Sequence, residues 1–243
     1  MASQRISNLF ETKRLMFTRR AIQPIWWIIH KDLKRAIRAH SIWPTMLLLG
    51  LLLVSLIAMQ IDLPDEQKQS VVSGLLWLAV AFAGTLAVEW SFVSEREDGC
   101  WQTLTLYPVA PSLLYMAKVS TNVVSLIVLE IVLVPLFVVM TDVSLLAHPA
   151  AMVAIALLGN VGFAATGTLV SAVSASLQSR GGLVALLFLP LVAPVLLGCA
   201  RATALMLAGE IEAQWWRWFQ FLGVFAVLFT MTGALIFEYQ MEE

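Results

Sequence analysis

Six continuous apolar stretches follow residue 40: Ile42 to Ile61, Val71 to Val93, Ser120 to Met140, Pro149 to Val173, Leu183 to Ala200 and Trp216 to Phe237. Each approaches the roughly 20 residues that an α-helix needs to cross the hydrocarbon core of a bilayer. Their apolar positions are consecutive rather than alternating, which argues against the strands of a membrane barrel. Ahead of them, residues 22–40 repeat at helical spacing. At about 100° per residue, Ile22, Ile25, Trp26, Ile29, Leu33, Ala36 and Ile37 share one face, and Lys31, Lys34, Arg35 and Arg38 share the opposite one. Pro24 suits a first helical turn. That pattern predicts a helix lying on an anionic leaflet. The other reading, a surface helix on a soluble core, lacks the soluble core that would have to follow. The chain is thus expected to be an all-α integral membrane protein. A basic tail over residues 1–21 precedes one transmembrane domain over 22–240, with the interfacial helix leading six spans.

Composition agrees with this reading and removes others. Apolar residues make up 60% of the 243 and charged residues 13%, against about 45–50% and about 25% in soluble domains. Mean hydropathy is +0.84. Too few polar side chains are present to cover a soluble enzyme, and a disordered chain, a disulfide scaffold or a basic nucleic-acid binder is excluded too. The net charge of −1 carries no information about partners, but the distribution of charge does. With the N-terminus in the cytoplasm, nine Lys/Arg before residue 40 join Arg96, Lys118 and Arg180 on that side, leaving Lys68, Arg201 and Arg217 on the other. Twelve against three predicts N-in, C-in. Asp62–Ser70, Thr141–His148 and Arg201–Gln214 then form the outer loops. Arg19-Arg20 and the short run Ala21–Ile29 imitate a signal peptide, but Lys31-Asp32-Leu33-Lys34-Arg35 follows with no small-x-small site, so no cleaved signal is expected. Cys100 and Cys199 fall near opposite faces, too far apart for a disulfide.

Candidate chemistry is sparse. The loop after the second span, residues 94–112, is charged and amphipathic: Glu95, Arg96, Glu97, Asp98, Gly99, Trp101 and Leu104, closing at Pro108. A loop that only joins spans needs fewer residues and no tryptophan, so this one is read as a docking element for a partner. Glu130 sits near the middle of the third span, where a carboxylate is costly and faces a cavity or a polar partner. Asn160 in the fourth span is the candidate partner, and Asn122 is a further intramembrane polar residue. The alternative for this group is a helix–helix hydrogen bond with no transport role. Glu89 and Lys118, near the cytoplasmic ends of their spans, are expected to snorkel to the interface. Gly159, Gly162 and Gly167 suit close helix packing. Pro190 and Pro194 each remove a helical hydrogen bond and bend the fifth span, as a gate or for packing. Trp215, Trp216 and Trp218 read as an interfacial belt, with stacking on a flat ligand such as haem as the minor alternative. His148 could ligate haem iron, although a solvated loop histidine is the simpler reading. No phosphate-binding loop, metal motif or nucleophile elbow occurs. Any ATP site therefore belongs to another chain, and no metal or catalytic residue is assigned.

An interfacial basic helix, six spans and a charged loop after the second resemble permease subunits of ABC-2-type exporters. More narrowly, the chain resembles the CcmB family, the haem exporter B permeases of cytochrome c maturation. The resemblance covers about Trp26 to Phe237. It rests on Glu95-Arg96-Glu97-Asp98-Gly99 with Leu104 and Pro108, on Lys118-Val119-Ser120-Thr121-Asn122, and on Gly159-Asn160-Val161-Gly162-Phe163. It continues through Gly167-Thr168-Leu169-Val170-Ser171-Ala172, Arg180, Leu187-Phe188-Leu189-Pro190-Leu191 and Pro194-Val195-Leu196-Leu197. The resemblance implies a bacterial inner-membrane protein that pairs with the ATPase CcmA and with a second copy of itself. It also implies work alongside CcmC, CcmD and the haem chaperone CcmE. Haem would be cargo rather than a resident cofactor, and ATP would sit on the partner subunit. Trp215-Trp216-Arg217-Trp218 does not match the W-G-x-x-W-x-W-D signature of haem-handling partners, which argues against haem being held by this subunit alone. Two other readings stand beside this one: an ABC-2 permease for a polysaccharide, lipid or drug, and a membrane scaffold of a haem-delivery complex that translocates nothing.

Overall fold

The computed structural model describes residues 42–58, 65–97, 111–145, 147–176 and 182–242. They form six helices: α1 (Ile42–Ala58), α2 (Asp65–Glu97), α3 (Pro111–Thr141), α4 (Pro149–Ser176), α5 (Gly182–Leu207) and α6 (Ala213–Glu242). The basic tail, the interfacial helix with Trp26, Lys31, Lys34, Arg35 and Arg38, and loop residues Asp98 to Pro108 lie outside the described residues. Five helices, α2 to α6, are long and apolar enough to cross a bilayer. The sixth, α1, is apolar but has 17 residues, about 25 Å of helix at 1.5 Å per residue. That falls short of a core about 30 Å thick, and the end expected at Ile61 lies outside the described residues.

The helices run past the apolar stretches. α2 has 33 residues and α3 has 31, so both begin well before the expected Val71 and Ser120. Ser94 to Glu97, read from the sequence as the start of the loop, are the last turn of α2, and Pro111-Ser112, read as its end, open α3. The loop expected over Arg201–Gln214 contracts to residues 208–212, because α5 continues to Leu207 and α6 begins at Ala213. α2 runs on into polar sequence because a helix persists wherever its backbone is best satisfied internally. α3 and α5 run on because Pro111–Val119 and Arg201–Leu207 are themselves mostly apolar, each carrying one basic residue.

The ends are set by local chemistry. Pro111 and Pro149 occupy first helical positions, where a missing N–H costs nothing. The His148 carbonyl accepts the Met152 N–H at 3.0 Å. α3 stops at Asp142, which takes a left-handed φ of 56°. α5 closes in a Schellman motif: the Gly209 N–H donates to the Met206 carbonyl at 3.2 Å, and the Glu210 N–H to that of Leu205 at 2.9 Å. Gly209 supplies the required φ of 75°, a conformation that costs glycine least.

α4 is the hub, packed against α2, α3, α5 and α6. Its small residues make this fit. A Cβ on Gly159 would lie 2.5 Å from Cys199 Sγ and 3.3 Å from the Trp77 ring. One on Gly167 would meet Val88 at 2.8 Å, and one on Gly162 would lie 3.3 Å from Val195. About 67% of the apolar window of α4 is buried, against 17% for α6. α6 turns Val224, Val227, Leu228, Met231 and Leu235 outward, as a lipid-facing helix does. Hydroxyls within the helices bond back to the preceding turn, as in Thr85 to Ala81, Thr121 to Ala117 and Thr166 to Gly162. Few polar groups remain for contacts between helices, and those few define the candidate site.

Candidate functional site

Three polar contacts stitch α3 to α4. Deep in the bundle, Asn160 Nδ2 donates to Glu130 Oε2 at 2.8 Å. Eight residues earlier on α3, Asn122 Nδ2 donates to Thr168 Oγ1 at 3.0 Å. The two pairs advance along α3 and retreat along α4, as an antiparallel register demands. About two helical turns, some 12 Å, separate them. Nearer the start of α3, the fully buried Tyr115 hydroxyl donates to the Ala165 carbonyl at 2.9 Å. Gly233 of α6 lies directly beneath the Tyr115 ring, so α3, α4 and α6 meet there. A fourth contact ties α2 to α5: Trp77 Nε1–H donates to Thr203 Oγ1 at 2.9 Å.

Glu130, Asn160 and Asn122 are all buried, and the structure thus brings the first two together and gives the third its own partner. Glu130 Oε1 has no hydrogen-bond partner among the described residues. The site can therefore hold the helices in register through one carboxylate oxygen, and it keeps a second acceptor inside the protein. If the pair acts as an interhelical clamp, Glu130→Gln preserves stability, because the new amide oxygen still accepts from Asn160. Glu130→Leu then costs about 1 kcal/mol, the usual worth of such a bond in a membrane. Unfolding of the purified protein in detergent checks this, and equal losses in both variants would count against the clamp.

Lys118 does not snorkel. It is only 3% exposed, because α3 begins two turns earlier than the apolar run and places residue 118 inside the bundle. Glu89 lies on α2, with its side chain outside the described residues. Pro190 and Pro194 are both within α5, Pro190 on an exposed face. α3 contains a third internal proline, Pro135, which the sequence reading passed over. The three belt tryptophans separate. Trp216 is 53% exposed, whereas Trp215 is buried and stacks on Phe219 with centroids 5.1 Å apart. Trp218 packs edge-on to Phe221 and lines a cleft of about 480 Å³ between the ends of α2, α5 and α6. His148 is exposed at the start of α4 and does not line that cleft.

Sequence reasoning missed Tyr115, Trp77, Thr168, Thr203 and the contact of Cys199 with Gly159. A tyrosine or tryptophan within an apolar span signals that its O–H or N–H needs a partner. The identity of that partner depends on helix rotation, which the sequence does not display. Among the described residues no group of three His, Cys, Asp or Glu could hold a metal ion.

A family model described as CcmB protein matches residues 23–238. Two curated proteins named Heme exporter protein B are also similar to the chain. The one from Pseudomonas aeruginosa is 28% identical over 179 residues, covering 74% of this chain and 80% of that relative. The one from Rhodobacter capsulatus is 28% identical over 170 residues, covering 70% and 78%.

Proposed function

The chain belongs to the CcmB family, and from that premise we propose that it is the membrane permease subunit of an ABC transporter serving c-type cytochrome biogenesis in the bacterial inner membrane. One observation carries the reading: the family match over residues 23–238 takes in the five helices that, among the described residues, are long and apolar enough to cross a bilayer, α6 up to residue 238. ATP hydrolysis belongs to a separate ATPase, CcmA, which engages the segment following α2. A second copy of the chain completes the transmembrane unit, and CcmC, CcmD and the chaperone CcmE are its working partners. The N-in, C-in orientation follows from the basic residues.

The coupling is mechanical. Closure of two ATPases pushes the Glu95–Leu106 segment and tilts α2 and α3. The segment 22–39, read from the sequence as an interfacial helix, slides or rotates on the membrane surface, and α1 and α5 move relative to one another with bending at Pro190 and Pro194. The work done is either haem export or release of the haem-loaded chaperone. Both require contacts that differ between two states. The α3–α4 seam is suited to transmit such motion as a unit, since Glu130–Asn160 and Asn122–Thr168 lock the two helices together.

The test is a haem stain of c-type cytochromes in cells depleted of this protein, with and without re-expression. Covalent haem disappears on depletion and returns on re-expression if the reading is correct. Normal cytochromes in depleted cells would discard it in favour of an exporter of some other substrate.

A further inference from the structure

The cleft between the ends of α2, α5 and α6 is not used by the coupling scheme. Its volume is about 480 Å³, within the range of small-ligand sites. Its polar wall is formed by Gln69, Ser70, Arg201 and Gln214, and its apolar side includes Leu205 and Trp218. Among the described residues Arg201 is the sole charged one lining it. Glu210 and Glu212 lie in the exposed turn between α5 and α6 and do not line the cleft. Among the described residues Arg201 has no carboxylate partner, although it stands on an otherwise apolar helix. An exposed cation with no counter-ion among the described side chains, beside two carboxamides and a hydroxyl, is a donor set for an anion.

Depth indicates what kind of anion. Gln69 lies at the beginning of the membrane-crossing part of α2, Arg201 in the last two turns of α5, and Gln214 at the beginning of α6. Gln69 and Gln214 sit where the apolar segments begin, the level of lipid head groups, and Arg201 lies about 9 Å inside the end of its own, a distance from which an arginine side chain extends toward that level. Exposed Trp216 marks the same level on α6, as interfacial tryptophans do. The apolar lining beside the donors suits the glycerol and first methylenes of a lipid better than a fully hydrated ion.

We propose that this cleft binds the phosphodiester head group of an anionic lipid, with Arg201 supplying the charge, Gln69 and Gln214 the flanking donors, and Trp218 the apolar wall. The site goes beyond the permease reading, and its test is read without any transport assay.

Purified protein in detergent is titrated with dioleoylphosphatidylglycerol or dioleoylphosphatidylcholine, and retained lipid is counted by native mass spectrometry. The wild type retains phosphatidylglycerol in preference to phosphatidylcholine. Arg201→Gln weakens that retention about fivefold, the effect of one interfacial cation. Arg217→Gln, which removes an exposed cation at the same level but outside the cleft, leaves it unchanged. Ala204→Phe, which fills the cleft and keeps the charge, abolishes the preference and serves as an independent variant should Arg201→Gln fold poorly. Equal losses in Arg201→Gln and Arg217→Gln would overturn the site in favour of diffuse attraction. Displacement of the lipid by excess inorganic phosphate would overturn the lipid assignment and leave a site for a soluble anion.

Discussion

Replacing Gly159 by alanine destabilises the bundle by about 1–3 kcal/mol, the usual cost of overpacking a close-packed interior. The added methyl meets Cys199 Sγ at 2.5 Å and the Trp77 ring at 3.3 Å. Neither neighbour yields easily. Cys199 is fully buried on α5, and Trp77 is pinned through its N–H to Thr203. The decisive comparison is the double variant Gly159→Ala/Cys199→Ala. Removing the sulfur opens space for the new methyl, so the double variant is more stable than the sum of the single losses by about 1 kcal/mol or more, as expected for residues in direct contact. Unfolding in lipid–detergent bicelles measures all four corners of the cycle. Strict additivity would show that α4 and α5 do not meet through this pair. The same variants bear on function, since a bundle loosened at its hub transmits motion between α2 and α5 poorly.

The second large effect concerns the partner. Asp98→Ala combined with Trp101→Ala abolishes stimulation of the partner ATPase while leaving membrane insertion intact. A tryptophan that anchors a protein interface is typically worth about 2 kcal/mol or more, roughly a thirtyfold loss of affinity or greater. The expectation rests on position and residue type. α2 leads as a continuous 33-residue helix to Glu97, so any force on the segment after it acts directly on a rod that reaches the far side of the bundle. ATP turnover by the reconstituted complex is the measurement, with membrane fractionation as the control. Unchanged turnover would remove the docking role from this segment.

Individual residues show why part of this protein was legible in its sequence. The apolar runs from Val71 to Val93 and from Pro149 to Val173 announced membrane helices because lipid acts on each side chain separately and the effects add along the chain. The start of α4 at Pro149 was read directly, whereas Pro111 at the start of α3 and Gly209 just beyond the end of α5, both placed by equally local backbone preferences, were not. Helix lengths were less legible. The continuations of α2, Asp65–Ser70 and Ser94–Glu97, are polar, so hydropathy does not report them, whereas that of α3, Pro111–Val119, is mostly apolar and carries the single charge of Lys118. Glu130 stood out as costly in a span, and residue type alone suggested an amide such as Asn160 as its partner.

The chain's own pattern of apolar and charged positions determined that it is a helical membrane protein and roughly where its long apolar helices run. Family membership was also written there, in the ordered motifs from Glu95 to Leu197. Tertiary structure alone decided which faces meet. It buried Lys118 and Trp215, set Gly159 against Cys199, joined Trp77 to Thr203, and placed Arg201 in a cleft with Gln69 and Gln214. The physical reason lies in the solvent. Lipid tails favour any apolar surface equally, so the rotation and pairing of helices are settled by small-residue packing and a few hydrogen bonds. Those contacts join residues as far apart as 126 positions in the chain.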